Sequence, residues 1–384
     1  MNGCPGEGQA TPLENGGPWV ISSFAEARAI LVSADARVPA DIPPPAAGGG
    51  AAGELVERGV HLRGLWMWGC HTDRRAACHK AAAAALGPGP VDSLAPYLES
   101  RAAALPGPGD EAGEVDLVAG FARPLVRDAL MELFGVDPAA RAALQAQVEV
   151  MAGFIPGNGS GGTARYFALA ATARLLEKVW SKPLPPNAAA SRTLLGAVEA
   201  GELSLDEALA QATLLLFGNS YTTLDALAGL MARLAGEPQL WRAARGGSLP
   251  VAGLVEESLR LGPPEHLVLF RDAAGEISLP GGIIPRGARI VLPLDRLNRD
   301  PACFERPDSF EPQRSGPPHL AFGAGRHMCV GLHLARAVIR IAAVALIRRL
   351  PEWPAETRIG RAPGILGGSS VASLSVPAGT LRAC

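Results

Sequence analysis

The stretch from His319 to Ala335 constrains this chain more than any other: His-Leu-Ala-Phe-Gly-Ala-Gly-Arg-His-Met-Cys-Val-Gly-Leu-His-Leu-Ala. Gly323, Gly325 and Gly331 crowd one cysteine, Cys329, and an apolar helical pattern follows at once. Glycine lets a backbone take positive φ or come close to a large ligand. A thiolate just before a helix is stabilised by the positive end of the helix dipole. Together these features describe a cysteine held on a loop to bind something bulky. Simpler readings compete. A lone cysteine is most often a small buried hydrophobe. His319, His327, Cys329 and His333 could be taken for a zinc cluster, although structural zinc sites use paired short spacings that this run lacks. Glycines before a helix could cradle a phosphate, but the Lys-Ser/Thr of a P-loop is absent.

The 384 residues, 48% of them apolar, can bury a large core, and length alone allows two or three domains. A net charge of −2 leaves no nucleic-acid footprint and no polybasic membrane patch. No apolar run approaches the roughly 18 residues of a spanning helix; Ala337 to Ile347 comes nearest, and Arg340 interrupts it. The amino terminus has no charged-then-apolar signal region. The six cysteines (4, 70, 78, 303, 329 and 384) are scattered without a framework. These features describe a soluble cytoplasmic protein with reduced thiols.

Residues 1–17 are Gly-rich and polar and read as a flexible terminus. Trp19–Ser22 reads as a short strand, and Ser23-Phe-Ala-Glu26 as a capping box opening a helix to about Leu31. Pro43–Gly53 reads as a loop or linker. Leu62–Trp68 precedes a helix expected to begin near Thr72, with His71 and Arg75 at i and i+4 on one face. An apolar-periodic helix over Ala119–Leu133 ends at Gly135, and Asp137-Pro138 starts another. Ile155–Gly162 is a Gly-rich interruption between helices. Ser204-Leu-Asp-Glu207 is a second capping box, and helical periodicity then runs to about Leu234. Its middle, Gly218-Asn-Ser-Tyr-Thr-Thr223, consists of poor helix formers that compete for backbone hydrogen bonds, so a local distortion is expected there. Short strands cluster at 266–294, a last helix spans Leu332–Leu350, and the chain ends in a Pro/Gly-broken segment.

Phe322, Gly325, Cys329 and Gly331 reproduce F-x-x-G-x-x-x-C-x-G, which resembles the haem-ligand loop of the cytochrome P450 family. The resemblance continues in order from about Gly17 to the end. It implies a mainly α fold: a helix-rich, triangular single domain over residues 18–384 with a small β-sheet subdomain. It implies haem b, with the Cys329 thiolate as the axial iron ligand that pushes electron density towards O–O cleavage. By the same resemblance His71, Arg75, Arg271 and His327 bind the propionates, and Gly218, Phe322, Gly323, Gly331 and Ala335 lie against the haem. Glu257-Ser-Leu-Arg260, joined by Arg314, matches a buried scaffold network that performs no chemistry.

Thr222, 35 residues before Glu257, matches the threonine that helps deliver protons to dioxygen. Tyr221 stands where the family carries an acid, and Asn219 where it carries a glycine. A phenol of pKa about 10 cannot relay protons as a carboxylate does at neutral pH. Tyr221 therefore either packs against a neighbouring helix or belongs to the site, with Asn219 and Ser220 able to hold water in place of the acid. Trp66, Trp68, Leu215, His266, Leu267, Ile365 and Leu366 are substrate-pocket candidates. The implied function is a monomeric haem-thiolate monooxygenase that oxidises a small biosynthetic intermediate with dioxygen. Its electrons would come from NAD(P)H through a ferredoxin or similar small protein. A missing acid points to oxidative coupling, desaturation or another atypical outcome. A haem-thiolate binder or sensor without turnover, and a helical protein without haem, are the rivals.

Overall fold

The computed structural model describes residues 11–12, 17–39, 49–68, 74–106, 113–155, 162–262, 268–363 and 369–381. The long helix, Leu205–Gly236, organises the rest. Ser204 caps it reciprocally: the Glu207 N–H donates to Ser204 Oγ at 3.1 Å, and the Ser204 N–H to Glu207 Oε2 at 2.8 Å. Its 32 residues, at roughly 1.5 Å each, make a rod of about 48 Å. Most of its side chains are buried. Helices Arg123–Leu133, Ala164–Trp180, Ala189–Glu199, Val251–Leu261 and Leu332–Arg349 all pack on it. A further helix, Gly50–Gly64, lies so close to Ala164–Trp180 that a Cβ at Gly59 would collide with the Tyr166 carbonyl.

Sheet structure is a minor part of the fold. One five-stranded sheet runs in the order Thr11–Pro12, Trp19–Val20, Arg289–Pro293, Val268–Ala273, Ala36–Arg37. Trp19 pairs with Ile290 in the parallel step, and Arg271 with Ile290 in the antiparallel one. Glu114–Asp116, Ser369–Pro377 and Arg358–Pro363 form a second sheet, and Ile277–Leu279 with Gly282–Ile284 a hairpin. One large buried apolar cluster fills the helical part, and a smaller one beneath the first sheet includes Ile21, Phe24, Ile290 and Leu292.

Several expectations change. Gly218–Thr223 is not distorted, because the helix runs through it without a break. Asn219, Ser220 and Thr222 each donate to the carbonyl four residues back, at 3.0, 2.6 and 2.8 Å. The side chains that compete for backbone groups elsewhere are satisfied here inside the ladder. The Pro43–Gly53 loop gives way at Gly50 to a helix. The carboxy-terminal segment contains two paired strands. At Ser23 only half the capping box forms: the Glu26 N–H donates to Ser23 Oγ at 3.4 Å, but Glu26 Oε1 accepts from the Gly281 N–H at 2.9 Å instead. Cys303 is disulfide-bonded, so the thiols are not all free. No helix among the described residues is long and apolar enough to cross a membrane.

Candidate functional site: a thiol and a cationic edge facing the long helix

The Cys329 loop is folded by its own backbone. The Cys329 N–H donates to the Phe322 carbonyl at 2.9 Å, and the Met328 N–H to the Gly325 carbonyl at 3.0 Å. Both turns need positive φ, +67° at Gly323 and +69° at Gly325. A side chain at Gly325 would also meet the Leu31 carbonyl at 2.6 Å. Arg326 ties the loop down, donating through Nη2 to the carbonyls of Ala34 and Ala36 at 2.8 and 3.0 Å. On the other flank the Leu320 N–H donates to the buried Asn298 Oδ1 at 2.7 Å.

Gly331 then caps the closing helix, Leu332–Arg349, so Cys329 sits just ahead of its amino terminus. Cys329 is exposed where it forms the wall of a cavity of about 80 Å³ and is crowded by protein on its other sides. That crowding pushes the thiol pKa up, against a hydrogen bond from the Gly331 N–H and the charge of Arg336. Arg336 is held by two hydrogen bonds to Glu256, at 2.6 and 2.8 Å, with its guanidinium 4.6 Å from the Phe322 ring centre. A thiolate here lacks only a stronger positive partner, which a metal ion supplies.

Beside the thiol lies a cluster of cations. Arg75 Nη2 donates to His327 Nδ1 at 3.0 Å and to the Arg326 carbonyl at 2.6 Å. Arg271 is 5% exposed; its Nη1 donates to the adjacent Phe270 carbonyl, and its Nε is buried without a partner. Burial and the positive charges of Arg326 and Arg75 lower its pKa to about 10, so it stays charged at neutral pH. Burial and the charges of Arg75, Arg271, Arg326 and His79 push His327 down to about 3. His79, one turn after Arg75, is lowered by burial and then by Arg75; it donates to the Met328 carbonyl, while its Nε2 is buried without a partner. Buried arginines normally come with carboxylates. The charges acting on Arg271 are all positive, so this edge calls for an anion.

The long helix supplies the opposite wall through Leu214, Leu215, Gly218 and Asn219, with Met67 and Trp68 alongside. Of the candidates from sequence, Trp68, Arg75, Leu215, Gly218, Asn219, His327, Cys329 and Gly331 meet around the one cavity. Arg271 joins them through its charge on His327, and Ala335 is buried on the closing helix. Trp66 is fully buried and donates to Thr213 Oγ1 at 3.2 Å, as a core residue. Ser220 and Thr222 bond within the helix. Tyr221 points away: its hydroxyl donates to the Val148 carbonyl at 3.5 Å, and burial raises its pKa. That contact matches the packing alternative. His71, His266, Leu267, Ile365 and Leu366 lie outside the described residues.

Sequence reasoning missed His79, although its i+4 spacing from Arg75 puts it on the same helical face. It also missed Arg336, whose partner Glu256 adjoins the Glu257 that was singled out. The scaffold network assembles in full. Arg260 holds Glu257 through Nε and Nη2 at 2.8 and 2.7 Å, and Arg314 Nε donates to Glu257 Oε1 at 3.0 Å.

A family model described as Cytochrome P450 matches residues 251–353, which include both this network and the Cys329 loop. The cyclomarin C epoxidase CymV of Salinispora arenicola is 30% identical over 264 residues, covering 67% of each chain. The chain belongs to the cytochrome P450 family. Cytochrome P450 107B1 of Saccharopolyspora erythraea is 34% identical over 241 residues, 62% of this chain and 58% of that relative's own length. The P450 fold extends beyond these matches. The crystal structure of P450BioI in complex with an acyl carrier protein ligated to hexadec-9Z-enoic acid superposes with a TM-score of 0.80, at 24% identity, over 97% of this chain and 94% of that one.

The P450 cofactor is haem, and the residues present fit it. Cys329 is a thiol donor in the cavity wall, and the partnerless nitrogens of Arg271 and His79 mark an edge suited to carboxylates. Cys329 would hold the iron; Arg75, Arg271 and His327 would hold the propionates.

Proposed function

We propose that this P450 is a haem-thiolate monooxygenase that oxidises a small organic molecule of a biosynthetic pathway. Dioxygen is the co-substrate, and electrons pass from NAD(P)H through a ferredoxin or similar small protein to a cytoplasmic, monomeric enzyme. The observation that carries this reading is the placement of Cys329 in a cavity wall beside a buried cationic edge and opposite the long helix. The epoxidase named among its relatives supports an oxidative, biosynthetic role.

Haem, when bound, supplies the oxidative chemistry. The chain's own residues do the rest. The Gly331 N–H and Arg336 stabilise the thiolate of Cys329. Arg75 and Arg271 balance carboxylate charge. Thr222 donates its hydroxyl proton to the Gly218 carbonyl, which leaves its oxygen free to accept. No carboxylate lines the cavity among the described residues, so the usual carboxylate relay has no side chain to carry it there. That favours outcomes needing less proton delivery, such as oxidative coupling or desaturation.

The same observation keeps a haem-thiolate binder without turnover as the second reading. Reconstitution with a surrogate ferredoxin system separates them. Substrate-dependent NAD(P)H consumption with an oxidised product supports the enzyme. Binding spectra with no product from any bound candidate support the binder.

A further inference from the structure

The helix Val251–Leu261 packs on the closing helix and carries two consecutive carboxylates. Successive helical residues do not face each other, so Glu256 and Glu257 meet different partners. Glu257 goes to Arg260 and Arg314 in the scaffold. Glu256 goes to the thiol loop. Its Oε1 and Oε2 accept from Arg336 Nε and Nη2, in the second turn of the closing helix, at 2.6 and 2.8 Å. A bidentate pair of this kind fixes the guanidinium plane as well as its position. Oε2 also lies 3.3 Å from His319 Nε2. The Ala321 N–H donates to His319 Nδ1 at 3.2 Å, which leaves the ring proton on Nε2, the nitrogen beside the carboxylate. Burial would raise the Glu256 pKa, but Arg336 and His319 hold it at about 2, so it is charged at neutral pH. Phe322 connects these groups to the thiol. The Arg336 guanidinium is 4.6 Å from its ring centre and the His319 ring 5.9 Å from it, while its carbonyl accepts from the Cys329 N–H at 2.9 Å. The positive charge of Arg336 acts on the Cys329 sulfur, and the negative charge held against it opposes that action.

We propose that Glu256 is a positioning residue for the thiolate: it fixes Arg336 against the Phe322 ring and partly cancels the positive charge that reaches the Cys329 sulfur. The proposal rests on the haem-thiolate reading above. A thiolate under less positive charge is the stronger electron donor, so Glu256 strengthens Cys329 as a ligand and Arg336 weakens it. Removing the acid and removing the base therefore act with opposite signs, whereas a loss of packing would act the same way in both. Both side chains are partly exposed, so solvent screening limits the effect.

The test is the ferric–ferrous midpoint of the haem-loaded, full-length protein. Glu256→Gln, which keeps the shape and loses the charge, is expected to favour reduction about tenfold, a rise of about 59 mV for one electron. Arg336→Gln is expected to lower the midpoint by a similar amount, and the double variant to return close to wild type. Each single variant carries its own sign, so the test stands if one of them fails to fold. An unchanged midpoint, or a shift against the stated sign, in either folded single variant would overturn the proposal. A wild-type protein without the thiolate-type Soret band would bring down the haem reading, and this inference with it.

Discussion

The arginine cluster around Glu257 and the one around Arg271 are built in opposite ways. Around Glu257 the charges close. Arg260, 2% exposed, gives its remaining donors to the carbonyls of Asn298, Pro307 and Ser309 at 2.8, 2.7 and 3.0 Å, and Arg314 completes the ring. Burial alone would raise the Glu257 pKa, but the hydrogen bonds from Arg260, the Glu311 N–H and Arg314 together hold it below the ordinary value. Around Arg271 the charges do not close: Arg75 and Arg326 repel it, and its Nε has no partner. A satisfied network fixes a fold, whereas an unsatisfied one of a single sign is kept for a ligand. The first cluster is scaffold. The second is the edge proposed above to take carboxylates.

The comparison breaks most sharply at Glu257. Glu257→Ala strands two arginines beneath the meander, and chemical denaturation should show a loss of about 3–5 kcal/mol. A loss below about 1 kcal/mol would mean the network is no more than a surface pair. Arg271→Leu should act the other way on haem-free protein. Removing an uncompensated buried charge leaves its thermal midpoint unchanged or higher, while haem retention on gel filtration falls. A destabilisation as large as that of Glu257→Ala would erase the distinction between the clusters.

A smaller effect is expected at acid pH from Glu207, which Arg74 and the Ser204 cap hold at about 2 against an ordinary 4.5. Its folded-state pKa is depressed, so its contribution is complete above about 4.5 and is lost as pH falls towards 2. Glu207→Gln should flatten the stability curve in that window and leave the curve above it parallel to wild type; an unchanged acid limb would contradict this. The smallest change is expected at Tyr221→Phe, which removes only the 3.5 Å contact with Val148. Stability should shift by no more than about 1 kcal/mol, with the haem spectrum untouched. A spectral change would put Tyr221 back in the site.

How far the site could be read in advance depended on whether a residue's task was local. Cys329, its glycines and the Glu257–Arg260 pair are set by spacing along one loop or one helix, and they were legible. Tyr221 was not, because its role depends on which face of the long helix meets Pro138–Val150, a distance of 73 residues along the chain. The straight course through Gly218–Thr223 was missed because propensity counts the polar side chains as competitors, when each bonds back one turn and leaves the ladder whole. The strands Arg358–Pro363 and Ser369–Pro377 were hidden by their Gly and Pro content, and pairing supplied what propensity lacked. His79 needed only the helical spacing already applied to His71 and Arg75, extended by one turn.

The Cys329 sulfur is the proposed iron ligand, and the spectrum of the reduced protein under carbon monoxide tests it. Wild type is predicted to show the red-shifted Soret band of thiolate-ligated haem, and Cys329→Ala to lose it while retaining its helical circular dichroism. A band that survives the substitution, or a wild-type protein that binds no haem at all, would contradict the assignment of Cys329.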